Sequence, residues 1–246
     1  MKHNYIFLWC FVFIFYSACS IPTMILQHDN QIENSFESLG RIKIDLFEDR
    51  RPEEERIEDR TALNTLSPQI WSGSTSPEMM LFFQKSMMEE TERTQLFEVS
   101  EQTELELSGY VTSMKISRRV TLWRYLAPAA ILTGLFTSDP GNVRTGEEGD
   151  NTNLWIGLGV GLIFMSLDFP VLSATVEFRA QVKLNGEQVF EKDIKFIEED
   201  KYSAWTEWGW EGVSEKAAVV LDRAIKKSIY KLFEEIVAKK EALSRM

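Results

Sequence analysis

The stretch that most constrains the fold is a strict alternation of apolar and polar side chains over residues 172–184. Successive side chains of a β-strand point to opposite faces, so the pattern predicts a long strand with one buried and one solvated face. Such a strand is typical of an antiparallel sheet that is covered on one side only. The apolar positions are Leu172, Ala174, Val176, Phe178, Ala180, Val182 and Leu184.

Asn185 and Gly186 follow this strand and indicate a turn. The apolar positions of the next strand are Phe190, Ile194 and Phe196. Phe190 can reach the buried face across the turn only if the loop has an odd number of residues. We therefore expect a three-residue connection with Gly186 at positive φ.

A second long strand is predicted over residues 104–120. Its first apolar residues, Leu105 and Leu107, lie on the opposite parity to Met114 and Ile116. Because an extra residue in a strand shifts the face on which later side chains lie, we expect a β-bulge near Gly109.

The remaining elements complete an α+β domain. Short strands are expected at residues 41–47 and 95–99, with a helix opening at Ser76 between them. A long amphipathic helix follows Ser214, with Lys226 on its polar side, and the mixed charges of residues 48–60 predict a solvated loop. The predicted fold is an antiparallel sheet of about four to five strands with two helices on one face.

The first residues carry an export signal. Lys2 precedes an apolar run over residues 6–15, and the small residues Ser17 and Ala18 stand just before Cys19. This pattern resembles the bacterial lipobox, although Tyr16 stands where that pattern has Leu. The resemblance implies cleavage between Ala18 and Cys19 and attachment of acyl chains, palmitate among them, to Cys19. An ordinary signal peptide or an N-terminal membrane anchor is the alternative.

The predicted organisation is a lipoprotein signal peptide at residues 1–18, a lipidated tether at 19–40, and a single domain at 41–246. The residue after Cys19 is Ser20, whereas Asp at that position favours retention in the inner membrane in the best-known bacterial system. We therefore expect the outer membrane, with the body in the periplasm; the inner membrane or the cell surface remains an alternative.

Two strongly apolar segments, residues 122–136 and 154–167, lie between the long strands on either side of a polar loop. Each is shorter than the ~20 residues that a membrane-spanning helix needs. We predict that residues 121–170 form an inserted hydrophobic helical hairpin that ends at Asp168, a hydrated carboxylate. The hairpin dips into the bilayer, packs against a membrane partner, or belongs to the core of the domain.

Aromatic side chains near the ends of these segments are typical of a lipid–water interface, and the glycines at 157, 159 and 161 permit close helix contact. The residues expected to contact the membrane or a partner are Trp123, Tyr125, Leu126, Ile131, Leu132, Leu135, Phe136, Trp155, Ile156, Leu158, Val160, Leu162, Ile163 and Phe164. Farther along, Trp205, Trp208 and Trp210 either cap the core or form a partner patch.

The composition argues against several classes of function. The formal net charge of −11 does not suit nucleic acid or anionic headgroups. The only cysteines and histidines are Cys10, Cys19, His3 and His28, and all four precede the predicted domain. The sequence has no nucleophile elbow and no metal-ligand spacing. We therefore predict a protein that is not an enzyme and that carries no cofactor and no metal.

Several segments also resemble a known group of proteins. They are Ile42-Lys43-Ile44-Asp45, Asp49-Arg50-Arg51-Pro52, Gln95-Leu96-Phe97-Glu98-Val99, Glu106-Leu107-Ser108-Gly109-Tyr110-Val111 and the Ala-rich last helix. In these segments the chain resembles small bacterial outer-membrane lipoproteins, namely the YajG-like and ABC-type transport auxiliary lipoproteins and, more distantly, LptE. The resemblance implies a non-enzymatic accessory that binds a protein partner in envelope assembly or lipid transport. The alternative is a membrane-embedded subunit of an oligomeric envelope assembly or pore.

Overall fold

A computed structural model describes residues 36–56, 78–119, 121–138, 149–203 and 210–244. The chain is α+β, with its strands gathered in one sheet. The strands are β1 (Arg41–Ile44), β2 (Glu48–Asp49), β3 (Glu98–Val99), β4 (Leu105–Arg119), β5 (Val171–Leu184) and β6 (Glu187–Lys201). The helices are α1 (Glu53–Arg56), α2 (Glu78–Arg93), α3 (Trp123–Thr137), α4 (Thr152–Ser166) and α5 (Trp210–Ser244).

The sheet is mixed and has six strands, so the prediction of an antiparallel sheet was wrong for one side of it. The strand order is β3-β1-β4-β5-β6, and β2 also pairs with β4. The three long strands β4, β5 and β6 are antiparallel, whereas β1 is parallel to both of its neighbours and β2 is parallel to β4. Between β1 and β3 the chain passes through α2, and a helical crossover of this kind returns the chain in the same direction.

The expected β-bulge is present but lies later in β4 than Gly109. The register with β5 shifts between Val111 and Ser113. Gly109 has a different reason to be glycine: a Cβ there would lie 2.1 Å from the carbonyl oxygen of Arg179 and 2.7 Å from the Phe47 ring. The glycine allows the neighbouring strand and a core ring to approach this point.

The connection from β5 to β6 has two residues, so the prediction of a three-residue loop was wrong. Asn185 and Gly186 both have positive φ, as a type I′ turn requires. The parity is corrected in the strand instead, because Val182 pairs with Phe190 but Lys183 pairs with Gln188, which leaves Val189 as the extra residue. Phe190 is therefore buried, as expected, while Leu184 at the end of β5 is exposed.

The core lies between the sheet and the two longer packed helices, α2 and α5. The positions predicted to be internal are buried: Ala174, Val176, Phe178, Phe190 and Ile194. The Phe83 ring of α2 meets Phe178 edge-on at 5.2 Å between ring centroids, and the Phe47 ring packs against both. The helix α5 covers β5 and β6 on the same face.

Candidate contact surface

The helices α3 and α4 pack against each other in antiparallel fashion and are called the helix pair below. Trp123 at the start of α3 lies 5.4 Å from Phe164 near the end of α4, measured between ring centroids. At the other end of the helix pair, a Cβ at Gly157 would lie 2.7 Å from the Cα of Gly134. The glycines therefore let the two backbones approach closely and join the two helices into one unit.

We predicted an inserted hydrophobic helical hairpin over residues 121–170, but each helix of the pair has only 15 residues, so the described chain contains no long apolar hairpin. Nor does any helix in the described ranges combine the length and the apolar character needed to cross a membrane. In the part of the chain that the structure describes, neither helix of the pair packs extensively on the strands or on α2 or α5. The helix pair therefore projects from the end of the sheet at which β4 ends and β5 begins.

None of the 14 residues predicted to contact a membrane or a partner is buried within the chain. Nine of them are exposed and the others are partly covered, chiefly by the opposite helix. The exposed ones are Trp123, Tyr125, Leu132, Leu135, Phe136, Trp155, Ile156, Leu162 and Ile163. They continue into Leu122, Leu167 and Phe169, so apolar surface surrounds the helix pair. Large apolar side chains exposed side by side in this way are typical of a surface that contacts a membrane or a partner.

The base of the helix pair is closed by an ion pair, which we call the neck. Asp168 was expected to be hydrated, but it is only 1% exposed. One of its oxygens accepts a 2.7 Å hydrogen bond from Arg124 Nε, and the other accepts one of 2.6 Å from the Thr121 hydroxyl. Asp168, two residues after the end of α4, is thus linked through its carboxylate to the start of α3.

A second group of buried charges lies where the sequence predicted a solvated loop. The Arg51 side chain is fully buried and donates two hydrogen bonds to Asp49, of 2.9 and 2.8 Å. Glu55 accepts 3.0 and 3.1 Å hydrogen bonds from the Ser113 hydroxyl and the Met114 backbone N–H, just after the bulge in β4. These carboxylate bonds satisfy the edge of β4 beyond the end of β2, so the role that we assign to them is structural.

Lys226 was also placed on the wrong side of its helix. It is buried and lies 2.8 Å from the buried Asp222, four residues earlier in α5. The amphipathic pattern assigned Lys226 by its charge alone, although a lysine can be buried when a carboxylate on the next turn neutralises it.

The polar face of the sheet carries cross-strand ion pairs. Arg179 of β5 donates 2.5 and 2.6 Å hydrogen bonds to the two oxygens of Asp193 on β6. These bonds hold the pKa of the Asp193 carboxyl below its usual range. Among the described residues, no group of three or more His, Cys, Asp or Glu side chains is placed to hold a metal ion.

Several predicted site residues lie outside the described ranges. They are Ala18, Cys19, Trp205 and Trp208. Trp210 is the first residue of α5, and its side chain is likewise not described.

Within the described chain, the helix pair is therefore the best candidate for a surface that contacts a membrane or a protein partner. No protein-family model matches the chain, and no curated protein matches it either. The resemblance to outer-membrane lipoproteins therefore stays a prediction.

Proposed function

We propose that the protein is a lipid-anchored accessory of the bacterial cell envelope, held in the outer membrane with its body in the periplasm. It acts by binding a protein partner in envelope assembly or in lipid or ABC-type transport, and not by catalysis. The observation that carries the proposal is the helix pair, whose apolar surface is exposed on a body with an otherwise well-packed core.

The identity of the buried residues in the helix pair supports a role in contact with a membrane or a partner over a role in stabilising the domain. A helix that stabilises its own domain buries an apolar stripe against that domain. Here the buried residues of the helix pair are small: Ala127, Gly134, Gly157 and Gly161. The large apolar side chains point elsewhere, so they add little to the packing of the body and are available to a membrane or a partner.

The neck supports the same role. A buried carboxylate that lost its cation would be strongly destabilising, so the Arg124–Asp168 pair tolerates little change at this point. The buried pair therefore restrains the base of the helix pair. A restrained surface loses less entropy when it docks.

Replacing Cys19 with Ala tests the anchor. The variant should lose incorporation of labelled palmitate and should either be released from the membrane fraction or remain uncleaved, because acylation at this thiol precedes cleavage in the lipobox pathway. Radiolabelled palmitate, membrane fractionation and the mass of the mature chain are the measurements. A Ser20→Ala variant is the matched control, and it should stay acylated. A mature wild-type chain that starts beyond Cys19 and carries no lipid would refute the anchor.

The second candidate, a membrane-embedded subunit of an oligomer, is favoured by one feature of α4. Small residues recur on its outer side at Thr152, Gly159 and Ser166, and a side chain at Gly159 would meet no atom within 4 Å. Glycine in a helix interior costs about 1 kcal/mol relative to Ala, so an outward-facing glycine suits close approach by another helix. The particle mass in mild detergent distinguishes the candidates: a monomer supports the accessory and a large uniform ring supports the oligomer.

A further inference from the structure

We propose that the helix pair lies in the interface of the same bilayer that holds the lipid on Cys19, so that the long strands run along the membrane surface. The inference rests on the proposed function, since it takes the lipid anchor as given. It adds the orientation of the body and assigns lipid, not protein, as the material that covers the helix pair.

The tether to Cys19 and the helix pair are attached to the body far from each other. Lys43 of β1 stands opposite Glu106 near the start of β4, so the chain enters the body at that end of the sheet. The helix pair leaves the opposite end, after Arg119. From Glu106 to Arg119 a strand rises about 43 Å at ~3.3 Å a residue. The anchor and the helix pair therefore belong to opposite ends of the body.

The second step is the reach of the tether. Residues 20–35 separate Cys19 from Phe36, which is held by a hydrogen bond from its N–H to the Thr94 carbonyl. Sixteen residues span at most about 53–58 Å when fully extended. A body standing upright on its helix pair would hold Phe36 more than ~40 Å from the membrane and would require most of that length. A body lying along the surface needs no such extension.

The third step is the fit of the helix pair to the interface. Its helices are about 22 Å long, shorter than the ~30 Å hydrocarbon core, and each is ~10–12 Å thick. Interfacial helices sink about 5–10 Å into a bilayer, so about half or more of the thickness of a helix pair that lies flat is covered. Trp123, Tyr125 and Trp155 are the side chain types that favour this depth.

Both ends of the helix pair carry charged residues, which oppose insertion of the helix pair tip-first into the bilayer. The neck is charged, and the sequence between α3 and α4 contains Asp139, Arg144, Glu147, Glu148 and Asp150. Tip-first insertion would take this loop into hydrocarbon, where each charge is costly. When the helices lie flat, both ends remain among the headgroups.

The distribution of the apolar side chains around the helix pair favours lipid over protein. Large apolar side chains surround both helices, with Trp155 and Leu162 on the outer side of α4 and Tyr125 and Phe136 on the outer side of α3. A protein docked on one face would leave the opposite face in water. A lipid interface covers the sides of a helix pair together, and it needs no matching shape.

The test uses the native acylated protein on a planar bilayer of phosphatidylcholine, with neutron reflectometry to measure the thickness of the protein layer. A lying body should give about 25–30 Å, close to one sheet layer plus one helix layer, whereas an upright body should give ~45 Å or more. The variant I156E with I163E places two carboxylates on exposed positions of α4, 57% and 59% accessible, and should give the thicker layer.

The matched control is V189E with I197E, two exposed apolar positions of β6, 42% and 51% accessible, which should keep the thin layer. A wild-type layer as thick as an upright body overturns the inference. A thin layer in the α4 variant also overturns it. Palmitate labelling of the same samples separates the two proposals, since an unlabelled Cys19 refutes the anchor, whereas a labelled protein in a thick layer refutes only the orientation.

Discussion

Phe178→Ala is expected to lower the free energy of unfolding by about 3–5 kcal/mol, the usual cost of removing a buried Phe ring. Phe178 is 1% exposed and sits in the middle of β5, where its ring meets Phe83 of α2 and Phe47 beyond β1. Its loss leaves a cavity between the sheet and α2, and it also removes two edge-to-face ring contacts.

Urea unfolding of the lipid-free body in a mild non-ionic detergent measures this effect, with the midpoint and slope both recorded. Thr175→Ala, a change on the polar face of the same strand, is the matched control and should cost less than about 1 kcal/mol. A near-neutral Phe178→Ala would contradict the assignment of the buried face. An equal loss in both variants would show that β5 is sensitive to any change, and that the aromatic contacts are not special.

The buried face of β5 could be predicted because a two-residue period leaves little freedom. Once Ala174, Val176 and Phe178 share a face, one register places all of them inside, and a slip by one residue would expose them all. The same rule required one extra residue near the β5–β6 turn. It could not say whether the extra residue lay in the loop or, as at Val189, in the strand.

The direction of the short strands could not be predicted in the same way. The alternation of β1 reports that one side is covered, but it contains no information about which neighbour runs alongside or in which direction. Parallel pairing followed from the path of the chain through α2, and that path depends on packing between elements far apart in sequence.

Charged residues were the other source of error, for one physical reason. Arg51, Glu55, Asp168 and Lys226 were each assigned to solvent because an isolated charge is costly to bury. Each is buried beside a partner: Asp49, Lys115, Arg124 and Asp222 respectively. Glu55 and Arg124 come from segments distant from their partners in sequence, so those pairings became visible only in the fold.

The apolar character of the helix pair was predictable from the sequence. Of the three glycines predicted to permit close helix contact, Gly157 and Gly161 lie against α3, whereas Gly159 faces away from it. The relation of the helix pair to the body was not predictable. Composition alone left three arrangements open, including burial in the core. The fold argues against core burial within the described chain, since no other element covers these helices.

Replacing residues 120–170 with Asn-Gly should give a folded body that stays monomeric without detergent, whereas the intact lipid-free body should aggregate or bind detergent. The flanking residues Arg119 and Val171 already face each other as partners in the β4–β5 ladder, so a short turn can join them. The dipeptide repeats the chemistry of Asn185 and Gly186, which close the other end of β5 at positive φ.

The deletion removes little of the core and most of the exposed apolar surface. One lost contact is the 3.1 Å hydrogen bond from the Tyr202 N–H to the Pro170 carbonyl, and a single bond of this kind contributes about 1 kcal/mol. Sedimentation velocity with and without detergent, together with a thermal unfolding curve, gives the result. A deletion of residues 139–148 alone, which leaves both helices in place, is the matched control and should keep the detergent requirement. Loss of the cooperative unfolding transition in the larger deletion would mean that the sheet needs the neck in order to fold. An intact lipid-free body that stayed monomeric in buffer would mean that the helix pair needs no partner.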